Sequence, residues 1–148
     1  MSSARPPQIR SALPFPCFLT RRRSLQSMAI RRPGLYCVEL RTARWEVSVR
    51  WYREALGLRV MVRVVDDGYA LLEAGDTRLA LISRHNPGPA SPRWSLGFEV
   101  DDLDAVIERL QRAGSKVSRP ERDPEGFREV VTFDPDGNTI RLFAWPER

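Results

Sequence analysis

The side chains of this sequence that could do chemistry fall on three β-prone runs. In Thr139-Ile140-Arg141-Leu142-Phe143-Ala144-Trp145, alternation puts Thr139, Arg141, Phe143 and Trp145 on one face and Ile140, Leu142 and Ala144 on the other. By the same rule Cys37, Glu39 and Arg41 share a face of residues 35–41, and Ser95, Gly97 and Glu99 share a face of residues 94–100. Arg141 offers a planar fork of donors suited to an anionic or carbonyl-bearing ligand. Glu39 and Glu99 can accept from hydroxyl or amine groups, or act as bases. The candidate ligand-binding residues are therefore Arg141, Glu39, Glu99, Cys37, Ser95 and Phe143. Plainer roles stand beside these. Glu39 with Arg141 or Arg41 could be an internal ion pair, and Cys37 a small apolar filler. Trp51, Trp94, Phe143 and Trp145 could wall a cavity, although Trp51 and Tyr52 occupy helical positions and read as core.

No other catalytic constellation is present. The single histidine, His85, lies in a proline-rich stretch without a partner in view, and there is no glycine-rich phosphate loop, paired-cysteine site or nucleophile elbow. No catalytic residue is assigned. Cys17 and Cys37 do not make a disulfide framework, which fits a reducing, cytoplasmic setting. No apolar run approaches the ~18 residues of a membrane span. The formal charge of +5 suggests nucleic acid at first sight, but residues 1–27 carry five arginines and no acid. The remainder balances 19 basic groups against 19 acids, so no broad basic face, and no nucleic-acid partner, is expected.

Residues 1–33 hold five prolines, several serines and scattered arginines without periodicity, and are expected to be a disordered extension. Three origins fit: an upstream extension with translation starting at Met28, an organelle-targeting peptide, or an electrostatic arm. From residue 34 one pattern is written twice. A β-prone run over 35–41 leads to a helical period through Trp45, Ser48, Val49, Tyr52 and Leu56, closed by Gly57. Strands are expected over 58–65, 69–74 and 77–82. Residues 84–93 form a Pro/Gly linker. A strand over 94–100 then leads to a helix capped by Asp101 or Asp102, with Leu103, Val106, Ile107, Leu110 and Ala113 on its buried stripe. Short strands follow at 116–118 and in a hairpin turning at Asp134-Pro135-Asp136-Gly137-Asn138. The expected fold is α+β, two tandem βαβββ modules forming a curved mixed sheet around a cavity. Residues 34–146 make one domain, with module one at 34–83 and module two at 94–146.

The set Ser48-Val49-Arg50-Trp51-Tyr52-Arg53-Glu54-Ala55-Leu56-Gly57-Leu58, Phe98-Glu99-Val100-Asp101-Asp102-Leu103-Asp104, Ala113-Gly114 and Asp134-Pro135-Asp136-Gly137-Asn138-Thr139-Ile140 resembles the vicinal oxygen chelate superfamily. That group contains glyoxalase I, bleomycin-resistance proteins and extradiol dioxygenases, and the resemblance covers residues 34–145. It implies a metal site in the members that use one: a His, Glu or Gln opening each half, and an acid or another ligand on the last strand of each. Matched strand to strand, these positions fall on Cys37, Ser95, near Ala80 and on Arg141. None is a His or carboxylate, and a guanidinium repels a cation. A shifted site would have to draw on Glu39, Glu99, Glu73 and Cys37, a mixture of hard and soft donors that suits no common ion well. The resemblance thus implies a small-molecule-binding protein without cofactor or metal, like the drug-sequestering members, and a homodimer. The alternative is lyase, isomerase or dioxygenase chemistry with a displaced metal or a glutamate base.

Overall fold

Two copies of one strand order follow from the repeated pattern. The computed structural model describes residues 33–146, so the extension expected over 1–33 lies outside the described residues except for Pro33. The first half runs β1 (Val38–Thr42), α1 (Trp45–Glu54), β2 (Arg59–Val64), β3 (Tyr69–Ala74) and β4 (Thr77–Ser83). The second runs β5 (Leu96–Glu99), α2 (Leu103–Arg112), β6 (Glu121–Arg122), β7 (Arg128–Phe133) and β8 (Thr139–Ala144). Each half forms a four-stranded sheet, ordered β1-β4-β3-β2 and β5-β8-β7-β6. The first strand of each pairs parallel with the last, and the other pairings are antiparallel. This is the tandem βαβββ arrangement expected from the sequence.

Helix ends obey local chemistry. Asp102 caps α2 by accepting the Ala105 N–H at 2.9 Å, satisfying one of the orphan donors of the first turn. Gly114, at φ +76°, turns the chain out of α2 in a conformation that a residue with a Cβ resists. Both helices lay their apolar stripes on one continuous core: Leu40, Leu72, Leu79 and Leu81 with Val49, Tyr52 and Leu56 from one half, and Val130, Ile140 and Leu142 with Leu103, Val106 and Leu110 from the other.

α1 serves both halves. The Trp51 indole N–H donates to Ser115 Oγ at 2.8 Å, the Tyr52 hydroxyl to Asp134 Oδ2 at 2.8 Å, and the Ser48 hydroxyl to Asp136 Oδ2 at 3.0 Å. The helix is therefore buried on two sides, which is why Trp51 and Tyr52, neighbours in sequence, are both core residues as the pattern suggested. Asp134 is the hub of this joint. Besides Tyr52 it accepts the N–H groups of Asp136 and Asn138 and the Asn138 side-chain amide, so its buried carboxylate has four donors.

Four local expectations need correction. The strand expected over 116–118 is a single bridge, Val117 to Thr132, and the edge strand is instead β6, after Pro120. Ala113 is exposed because α2 ends at Arg112 and the capping residue turns off the buried stripe. β1 begins only at Val38, leaving Leu35 and Tyr36 exposed, and β5 begins only at Leu96, leaving Trp94 and Ser95 outside it. Ahead of β1 and β5 the residues left out lie beyond the registered pairing with β4 and β8, and propensity alone does not extend a strand.

Candidate functional site

α1 and α2 each pack on one face of a sheet, and the candidate residues belong to the other. The strand registers list what it carries. On the second sheet, Glu121 of β6 lies opposite Glu129 of β7, Glu129 opposite Phe143 of β8, and Phe143 opposite Glu99 of β5. One step along, Val131 lies opposite Arg141, and Arg141 opposite Gly97. Phe127, Phe143 and Trp145 cluster at this end, with ring centroids 5.0 to 6.4 Å apart. The Phe143 ring lies over Gly97, where a Cβ would make an ordinary van der Waals contact of 3.6 Å with Phe143 Cε1.

Arg141 stands on this face, as alternation required, but its fork is engaged. Nε and Nη2 donate to the two carboxylate oxygens of Glu129 at 2.6 and 2.7 Å. This bidentate pair holds the Glu129 carboxyl below its usual range, through the hydrogen bonds first and charge after them. The ion pair weighed between Glu39 and Arg141 or Arg41 is not formed. Glu39 has no ion-pair partner among the described residues.

The first sheet carries the other candidates. Glu39 lies opposite Ala80, and Arg41 opposite Ile82. Leu71, Ala80 and Ile82 are buried yet stand apart from the main core, so this face has an apolar floor of its own. Cys37 is half-buried just before β1. Burial raises its thiol pKa, Glu39 adds to the rise and Arg78 partly offsets it, so Cys37 is not activated as a thiolate. Burial likewise raises the Tyr69 phenol, with Cys37, Tyr36 and Glu39 contributing, which places these groups near one another. Glu39 and Arg41 also line a cleft of about 440 Å³ with Ala90, Trp94, Asp136 and Asn138, between β1, the linker and the β7–β8 turn. A larger recess of about 550 Å³ opens beside the start of α1, walled by Arg44, Glu46, Asp66 and Asp67, and contains none of the candidates.

The candidates therefore divide into two groups. Arg141, Phe143 and Glu99 meet on the second sheet, with the exposed Ser95 just before β5, while Glu39 lies on the first sheet with Cys37 just before β1. Sequence reasoning missed Glu129, Phe127 and Glu121; counting back along the hairpin would have put Glu129 and Phe127 beside Phe143 and Arg141, whereas Glu121 lies outside the hairpin on β6. His85 is exposed in the linker. Among the described residues no three His, Cys, Asp or Glu side chains converge, and Glu73, one of the donors considered for a shifted site, is paired with Arg59 at 2.7 Å.

The fold and these residues can be set beside known proteins. YraH of Bacillus subtilis (strain 168) is 30% identical over 110 residues, covering 65% of this chain and 86% of YraH. CFP32 of Mycobacterium tuberculosis (strain CDC 1551 / Oshkosh) is 31% identical over 103 residues, covering 67% of this chain but only 39% of CFP32. TnmS3, an antibiotic-binding protein from Streptomyces sp. CB03234, superposes with a TM-score of 0.65 at 27% identity, covering 80% of this chain and all of TnmS3. Residues 34–142 match the family described as the Glyoxalase/Bleomycin resistance protein/Dioxygenase superfamily. With that match spanning most of the chain and the doubled βαβββ topology behind it, this chain belongs to the glyoxalase/bleomycin resistance protein/dioxygenase superfamily.

Proposed function

We propose that this chain binds a small molecule without a divalent metal, that it does so as a homodimer, and that Arg141 and Phe143 form the floor of the site. Glu99 and Ser95 border that floor, and Glu39 and Cys37 contribute from the first sheet. The observation that carries the reading is the Arg141–Glu129 pair. At the last-strand position, where metal-using relatives would have an acid, this chain has a cation already locked to a neighbouring carboxylate. Such a pair offers a metal ion no free ligand, because a guanidinium cannot coordinate and both Glu129 oxygens are engaged, yet it keeps hydrogen-bonding capacity. Only Nε and Nη2 of Arg141 are spent on Glu129, so Nη1 can donate to a ligand carbonyl. Beside it, Phe127, Phe143 and Trp145 present aromatic surface, and Trp145 is 61% exposed. Flat apolar surface with a few oriented polar groups is what small-molecule sites are made of. The likeness to an antibiotic-binding protein points the same way.

The test is thermal. A ligand that binds only the folded state raises the melting temperature, by an amount that grows with the logarithm of its concentration above Kd. Melts with a panel of polycyclic aromatic compounds should give upward shifts that Phe143→Ala removes, while zinc, manganese and magnesium give none. Metal-dependent stabilisation without any response to aromatic compounds would sink the proposal.

A further inference from the structure

The charges beside Phe143 are unbalanced. Glu121, Glu129 and Glu99 stand in one cross-strand row with Phe143, and the registers assign Arg141 alone as a cation on that face of the adjacent row. Arg141 neutralises Glu129. Glu99 and Glu121 have no ion-pair partner among the described residues. Like charges directly opposite one another, as Glu121 and Glu129 are, weaken a strand pair; Arg141 offsets Glu129, and the charges left over for a further cation are those of Glu99 and Glu121. A metal ion is the wrong cation. Glu129 and Glu99 lie two strand spacings apart, roughly 10 Å, with the Phe143 ring between them, far beyond the span of one coordination sphere. A free anion is also wrong, because the guanidinium that would receive it is already saturated on two of its nitrogens by Glu129. A flat organic cation meets both conditions. Its ring would stack on Phe143, with the Trp145 ring standing nearly perpendicular at 84° along one edge, its charge would face the aromatic surface and the flanking carboxylates, and its N–H groups would donate to Glu99.

We infer that the ligand is a planar aromatic cation carrying amine or ring N–H donors, seated on Phe143 between Glu99 and Glu129. The inference rests on the binding reading above and narrows it to a ligand class.

The probes are proflavine, a planar tricyclic cation, and anthracene-9-carboxylate, a tricyclic anion of similar outline. Each is titrated by fluorescence into the full-length protein and into Glu99→Gln and Phe143→Ala, both changes at positions outside the main core. Proflavine is expected to bind saturably and more tightly than the anion. Glu99→Gln should weaken it about two- to fivefold, the scale of one exposed charge pair, and raised salt should act in the same direction. Phe143→Ala should weaken it about tenfold, as loss of a stacking platform does. Tighter binding of anthracene-9-carboxylate, itself lost in Phe143→Ala, would overturn the cation assignment and leave the binding proposal standing. Proflavine binding indifferent to both substitutions would place it elsewhere and overturn the inference. Binding of neither probe would overturn the inference and count against the proposed site together.

Discussion

At the scale of single residues, two carboxylates settle the character of this protein. Glu129 takes up Arg141, and Asp134 ties the two halves together. Glu129 gives a pH prediction whose sign follows from its depressed pKa. The stabilisation from its pair with Arg141 is fully present above the unfolded-state value, about 4.3, and is lost as pH falls through the lower folded-state value. Acid melts of the protein and of Glu129→Gln should therefore differ near neutral pH and converge below about pH 4. A gap that widens on acidification would contradict the pairing. Asp134 predicts a larger effect. Tyr52→Phe removes a buried hydroxyl donating to a carboxylate, and should cost about 1.5–3 kcal/mol by urea denaturation, the range for hydrogen bonds to charged groups. A change within error would mean that the hydroxyl is not what joins the halves. Alternation alone placed Arg141 and Phe143 on one face. It did not decide which of several acids would capture Arg141, because that depends on side-chain reach across the hairpin. The role of Asp134 was hidden for a related reason: a turn aspartate becomes a hub only when α1 docks against it.

At the scale of elements, what could be read in the sequence tracks how much of the burden local chemistry carries. α2 was nearly complete in its pattern, since an aspartate cap, an apolar stripe and a glycine exit each act within a few residues. Asp102→Ala tests that assignment and should cost about 1 kcal/mol, the usual value of a helix N-cap. An unchanged urea midpoint would mean that the Ala105 N–H finds another acceptor. β6 was illegible because Glu121-Arg122 has no strand propensity and exists as a strand only through its pairing with β7. The shortened β5 has the same origin: its parallel partner β8 offers register from Ile140 to Phe143, so Trp94 and Ser95 run past the paired segment. The candidate site suffers most from this, because Ser95 was placed by continuing an alternation that the strand itself does not continue.

At the scale of the whole molecule, the duplication determines the fold and leaves an edge exposed. β2 borders its sheet and exposes Met61, Val62 and Val64, with Val65 just beyond it. Apolar residues on a free strand edge invite pairing with another chain. A dimer is therefore expected by light scattering at micromolar concentration, and Val62→Lys with Val64→Lys should shift it toward monomer; a monomeric parent protein would contradict the proposal. The tandem modules were readable because a repeat of this length leaves a pattern in every element it copies. How the site is charged was not, since it arises where four strands of one module line up, and no stretch of sequence contains that row. The most direct measurement is elemental analysis of the protein purified without chelator, since binding without metal is the central claim. Metal well below one equivalent per chain is the predicted result. One equivalent of a divalent metal, retained through dialysis and lost on replacing Glu39 or Glu99, would contradict it.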